Sequence, residues 1–228
     1  MNKIAILLTG VPGSGKTSQA SFLADKIGII NFDTGKRLEA VLHDPANKNN
    51  KIIAQERKNF DSGRLVTPKF VVDVIEKELI RISKAGWGVV FSGSPRTAYE
   101  AEKLLPLLEK LYGKEKVYSF FIDVPLAESI KRNSKRFVCS FCGAPLLTKY
   151  YPSAHPKYCP ICGGKLYRRT LDNPESIKIR HEEYKNRTKP VFDIFKKRGY
   201  KTIKIDGRPA PYEVFQKING YFKNRKRN

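Results

Sequence analysis

The stretch Gly10-Val11-Pro12-Gly13-Ser14-Gly15-Lys16-Thr17 satisfies G-x-x-x-x-G-K-[ST] at every fixed position. Glycines in such a run let backbone N–H groups turn inward around phosphate oxygens, and a helix opening at Lys16 adds its positive end. Lys16 is placed to reach the β- and γ-phosphates, Thr17 offers a hydroxyl to Mg²⁺, and Ser18 follows in the first helical turn. A nucleoside triphosphate is the ligand this chemistry selects.

Four cysteines form two C-x-x-C pairs, Cys139/Cys142 and Cys159/Cys162, separated by residues 143–158. Each pair is followed by glycine, as a tetrahedral thiolate site with tight turns requires. Disulfide pairing is the weaker alternative for a chain expected to be soluble and cytoplasmic. Zinc is therefore expected, in a closed structural site, because protein sulfurs fill all four positions. Its binding, worth roughly 10–16 kcal/mol in small zinc-finger peptides, would let a lobe over 136–173 fold without a large core.

The elements that must position these groups follow from the hydrophobic pattern. Residues 3–9 are a nearly continuous apolar run, the signature of a parallel strand covered on both faces. Helix is expected at 16–27, 35–42, 50–60, 68–85, 97–112, from about 125, over 174–198 and from 212 onward. Strands are expected at 29–32, 88–91, 117–123 and 201–205. This alternation predicts an α/β fold with a parallel central sheet and helices on both faces. It breaks between 136 and 173, where the cysteines lie.

The chain carries 44 Lys+Arg against 22 Asp+Glu, a formal charge of +22. Such a field attracts polyanions, nucleotides or nucleic acid among them, although a lysine-rich surface without a partner produces the same count. The basic end, "KNRKRN", concentrates the bias. No apolar run reaches the roughly 18 residues of a membrane span, so no membrane partner is expected.

Taken together, these residues resemble the adenylate kinase family of nucleoside monophosphate kinases, in its long form with a zinc-bearing lid. The resemblance runs over about 1–210. "DTGKRL" (33–38) is similar to the family's T-G-x-x-L element, "GRLV" (63–66) to its G-K/E-L-V segment, and "SGSPRT" (92–97) to D-G-F-P-R-T. "DVP…KR…KR" (123–136) resembles the stretch with two arginines before the lid, and "RRTLDN…KIR" (168–180) the segment after it.

The resemblance implies a P-loop three-layer core (1–32, 67–135, 174–228), an NMP-binding lobe (33–66) and a zinc-ribbon lid (136–173). It implies a monomeric phosphotransferase converting ATP and AMP to two ADP with Mg²⁺, a reaction of nucleotide homeostasis. By carry-over, Gly10, Gly13, Ser14, Gly15, Lys16, Thr17, Ser18, Arg132 and Arg136 would bind ATP. Thr34, the position of Glu39, Arg64, Leu65, Val66, Gly93, Arg96, Glu100, Arg169 and Arg180 would bind AMP. Catalysis would be positioning and electrostatic clamping by Lys16, Arg96, Arg132, Arg136, Arg169 and Arg180, without a covalent nucleophile.

The chain departs from the family pattern at several of these positions. Glu39 stands where the family has a phosphate-clamping arginine, with Arg37 a possible substitute. Glu100 stands where a glutamine reads adenine. An ionised carboxylate only accepts hydrogen bonds, which suits the two-donor edge of guanine, whereas Thr34 matches AMP-using members. Ser92 replaces an acid associated with Mg²⁺, Pro145-Leu146 a Thr-Tyr pair near the donor base, and Leu171 the first of two aspartates. GMP as acceptor, or a nucleotide-regulated RNA- or ribosome-binding role, are the alternatives these departures raise.

Overall fold

The computed structural model describes residues 3–151 and 155–225; the end of the basic tail, 226–228, lies outside them. Five parallel strands make the central sheet: β1 (Ala5–Thr9), β2 (Ile30–Phe32), β3 (Val89–Ser92), β4 (Val117–Asp123) and β8 (Thr202–Asp206), in the order β2-β3-β1-β4-β8. Register is continuous across the middle, with Leu7 opposite Phe91 and Ser119. All five residues of β1 are buried, as an apolar run with no polar face demands. Its alternate side chains enter two cores. Leu7 joins Phe32 and Phe91 on one face, and Ile6 and Leu8 join Phe120 and Ile122 on the other.

The helices follow the expected spans closely because their ends are written locally. Helix α1 (Lys16–Ile27) stops at Gly28, whose φ of 71° lets its N–H return to the Ala24 carbonyl. Helix α2 (Thr34–Leu42) is capped by Asp33, which accepts from the Lys36 N–H at 3.2 Å. Helices α3 (Lys51–Asp61) and α4 (Pro68–Lys84) follow, then α5 (Ala98–Tyr112), capped by Thr97, and α6 (Leu126–Ser134). α1 and the last helix, α9 (Pro211–Arg225), cover one face of the sheet. α4, α5 and α8 (Val191–Lys197) cover the other.

The single helix expected over 174–198 is interrupted. Helix α7 (Pro174–Glu183) runs into a wide π-turn at Tyr184–Thr188, and α8 begins only after Pro190. Proline has no N–H to donate and its ring crowds the preceding turn; α5 runs through Pro106, whereas at Pro190 the chain turns and a new helix starts.

The cysteine-bearing segment forms its own antiparallel sheet, β6 (Pro145–Leu147), β5 (Arg136–Cys139) and β7 (Leu166–Tyr167). Its two ends are tied by one ion pair. Arg136, first residue of β5, grips Asp172 with two bonds, Nε at 2.9 Å and Nη2 at 2.6 Å, and the Asp172 carboxylate is only 5% exposed. Arg180 of α7 approaches the same oxygen at 3.4 Å.

Removing one partner of a buried pair leaves the other charge uncompensated, typically costing about 3–5 kcal/mol. Asp172→Asn is expected to destabilise the cysteine segment by an amount of that order. Hydrogen exchange should show faster exchange at 136–151 and 155–173, with the central sheet little changed.

Candidate functional site

The loop after β1 opens at the point where the sheet order reverses, with β3 on one side of β1 and β4 on the other. Ligands bind at such crevices in parallel α/β sheets because neighbouring loops diverge there. Gly10, Gly13 and Gly15 all take positive φ (148°, 79° and 99°), which curls the chain around the helix N-terminus. The Lys16 ammonium donates to the Gly10 and Val11 carbonyls, both at 2.8 Å.

A cleft of about 390 Å³ faces this loop. Gly10, Gly13, Ser14, Gly15, Lys16, Thr17 and Ser18 line it on the donor side. Across from them stand Glu39, Arg64, Leu65, Gly93 and Arg96, while Arg132, Arg136, Arg169 and Arg180 converge from the helix and sheet ends around the cysteine segment. Gly93 makes room for Arg96: a Cβ there would lie 2.8 Å from the Arg96 guanidinium.

The cations affect one another. Burial, then the charges of Arg96, Arg180 and Arg136, hold Lys16 well below the usual ammonium range, with Asp33 pulling the other way. Burial and the neighbouring Arg136, Arg169 and Arg96 lower Arg180, partly offset by Asp172. A pocket that depresses its own cations is one in which a polyanion is stabilised.

Three expected site residues do not line the cleft. Glu100 is buried, and its carboxylate accepts from the Arg96 N–H at 2.9 Å and from the Thr97 hydroxyl at 3.1 Å. Thr97 in return accepts from the Glu100 N–H, so Glu100 completes the N-terminal cap of α5 and does not face a base. Burial raises its pKa despite those bonds. Val66 belongs to the core beside Leu38, and Thr34 is buried in the first turn of α2 with no protein partner for its hydroxyl.

Two arginines differ from expectation in another way. Arg37 pairs with Glu78 at 2.9 Å and lies over the Phe32 ring, so it does not replace the missing cation at Glu39. Arg132 lines the cleft, but Nε donates to Glu128 at 2.8 Å and its two Nη groups to the Gly207 and Arg208 carbonyls. Its remaining N–H groups alone are left for a ligand.

The sequence reading missed Asp33 and Lys36. Both line the cleft, and Lys36 Nζ occupies the place a Cβ on Gly143 would need, 2.1 Å away. Helix α2 thus touches the first cysteine turn. The signal was present in D-T-G-K, where a capping aspartate precedes a lysine three positions on. Ser92 is buried beside the cleft with no partner for its hydroxyl, and Pro145 and Leu146 line the cleft with Tyr150 and Tyr167.

The cysteine sulfurs lie within 4.8 Å of one another, Cys139 and Cys162 at 3.4 Å and Cys142 and Cys159 at 3.8 Å. Zn–S bonds of about 2.3 Å in a tetrahedron place sulfurs about 3.8 Å apart, so the four converge at metal-binding spacing. Burial opposes ionisation of Cys139, but the N–H groups of Cys142 and Phe141 outweigh it and bring the thiol down to about 6.

The sequence model described as adenylate kinase matches residues 8–200. Several similar proteins carry the name adenylate kinase. That of Carboxydothermus hydrogenoformans is 34% identical over 93% of this chain and 96% of its own. That of Methanothrix thermoacetophila is 33% identical over 94% and 96%, and that of Caldicellulosiruptor saccharolyticus 32% identical over 85% and 87%. With the phosphate loop, the facing arginines and the cysteine lobe in one continuous match, the chain belongs to the adenylate kinase family.

Proposed function

We propose that this cleft transfers a phosphoryl group from Mg·ATP to AMP, giving two ADP. The observation that carries the reading is the cation arrangement: Lys16 on the loop after β1 and Arg96 on the loop after β3 line one cleft with Arg136, Arg169 and Arg180. Two nucleotides meeting there bring together many negative charges, and the transferred group spreads more over its oxygens. Fixed cations aimed at that charge lower the barrier without a protein nucleophile. Lys16 and Arg136 face the donor phosphates, Arg96 the acceptor phosphate, and Arg169 and Arg180 the group in transit. Segment 33–66 is the acceptor lobe and 136–173 the lid.

Mg²⁺ travels with the ATP, where the Thr17 hydroxyl and the phosphates would hold it, and it neutralises charge on the bridging oxygens. No carboxylate stands at Ser92, but Asp33 lines the cleft and its charge favours the charged form of Lys16. Zinc on Cys139, Cys142, Cys159 and Cys162 would supply the lid with the rigidity its small core lacks.

AMP is favoured over GMP because the residue that suggested guanine, Glu100, is committed to capping α5. A coupled assay with AMP, GMP, CMP and UMP at fixed Mg·ATP tests this. The highest kcat/KM is expected for AMP, and a higher value for GMP would reject the assignment. Glu100→Gln is expected to leave the AMP-over-GMP ranking intact.

Arg96→Ala should lower kcat/KM at least about a hundredfold, the scale of losing one charge-stabilising donor. ADP formation at the wild-type rate in that variant would remove Arg96 from the mechanism.

About one equivalent of zinc should copurify with each chain. Chelation should release protection in 136–151 and 155–173 before the sheet opens, as followed by metal analysis and hydrogen exchange. A Cys139–Cys142 disulfide found by mass spectrometry would contradict this.

A further inference from the structure

Behind the phosphate loop, three elements meet at one hydroxyl. Ser129 of α6 is fully buried, and its Oγ–H donates to the Pro12 carbonyl in the middle of the loop. His181 of α7 brings Nε2 to 3.1 Å from the same oxygen. A serine hydroxyl has one hydrogen, and the Pro12 carbonyl can only accept it. The second bond therefore runs the other way, with Nε2–H of His181 donating to Ser129 Oγ. One turn on, Asn133 Nδ2 donates to the Ser129 carbonyl at 3.0 Å. That amide stands 2.6 Å from where a Cβ on Gly13 would be, so Asn133 and the Ser129 carbonyl form the floor under Gly13.

The arrangement joins groups that the reaction needs in register. α6 leads into the cysteine lobe and α7 leaves it. His181 follows Arg180 directly, and Arg180 lines the cleft opposite the loop. Burial and the charges of Arg180 and Lys16 lower the His181 pKa. The neutral Nε2–H tautomer, like the imidazolium, keeps a hydrogen for Ser129.

We propose that Ser129 and His181 are positioning residues that lock the Pro12–Gly13 backbone of the phosphate loop to the helix carrying Arg180. This rests on the kinase reading above. In a trans peptide the Gly13 N–H points opposite to the Pro12 carbonyl, so Ser129, by holding that carbonyl, fixes the direction of the Gly13 N–H toward the donor phosphates. Because His181 anchors that hydroxyl from α7, movement of α7 shifts the loop and Arg180 together.

The test uses the full-length, metal-loaded chain and four variants: Ser129→Ala, Ser129→Thr, His181→Leu and His181→Gln. Mg·ATP affinity is measured by calorimetry without AMP, and kcat and both KM values by the coupled assay. Ser129→Ala removes the hydroxyl that holds the Pro12 carbonyl. It should weaken Mg·ATP binding about tenfold and raise KM for ATP similarly, with KM for AMP within about twofold. Ser129→Thr keeps the hydroxyl and should retain most of the affinity. His181→Leu should weaken Mg·ATP binding about fivefold. His181→Gln, whose amide N–H can donate in place of Nε2–H, should recover to within about twofold.

Lower melting temperatures with unchanged ATP affinity and KM would make the contact structural only and overturn the proposal. Equal impairment of the Leu and Gln variants would overturn the hydrogen-bond assignment on which it stands. Should Ser129→Ala fail to fold, the His181 pair decides alone. If the wild type forms no ADP from ATP and AMP, the kinase reading fails, and calorimetry with Mg·ATP still decides whether Ser129 and His181 hold the loop.

Discussion

Repulsion among like charges is the constraint around which this molecule is arranged. Lys16, Arg96, Arg136, Arg169 and Arg180 all face one cleft, and two unit charges 4 Å apart at a protein surface interact by about 4 kcal/mol. No flexible chain would gather them. The sheet does so because β1 and β3 are buried strands whose ends cannot move apart without opening both cores. Three acids relieve the cluster. Asp172 takes Arg136 and Arg180 together, Asp33 favours the charged form of Lys16, and Glu100 and then Asp33 favour that of Arg96. A polyphosphate entering this field meets cations already in place, and the reorganisation that water would need is avoided.

What could be read from the sequence was whatever is written in neighbouring residues. The phosphate loop, the two C-x-x-C turns and the apolar run of β1 are patterns of adjacent residues, and each sits where the pattern placed it. What could not be read was the direction of a side chain at a site assembled from distant segments. Glu100 aligns with a base-reading position, yet its short loop lets it satisfy the N-terminus of its own helix. Arg37 has the right charge one step off the right face and pairs with Glu78 on α4 instead. The break at Pro190 was not read, and proline alone does not decide it, since α5 continues through Pro106.

The cysteine lobe shows a different economy of packing. Among its described residues the buried apolar groups are Val138 and Pro156 with the thiols of Cys139 and Cys159, while Phe141 and Ile161 at the tips of the two turns are 82% and 75% exposed. Such a lobe cannot balance its ordering entropy by apolar burial. Convergent sulfurs and the Arg136–Asp172 pair stand in for a core. The metal-site spacing and the buried ion pair are therefore two parts of one solution, one at the tip of the lobe and one at its base.

That solution also bears on closure. Lys36 of α2 rests against Gly143, beside the first pair of cysteines, so two margins of the cleft meet through a lysine and a glycine. Gly143 has no side chain to hold the ammonium away, and a bulkier residue would keep the margins apart. Contact at this point narrows the cleft over the phosphates, where water would otherwise compete with the acceptor for the transferred group. Glu39, one turn along α2, also lines the cleft. Lys36 thus sets a cation against the cysteine lobe, while Glu39 sets an anion on the same helix. A cation at the seam and arginines beneath it keep the whole rim attractive to phosphate as the margins approach.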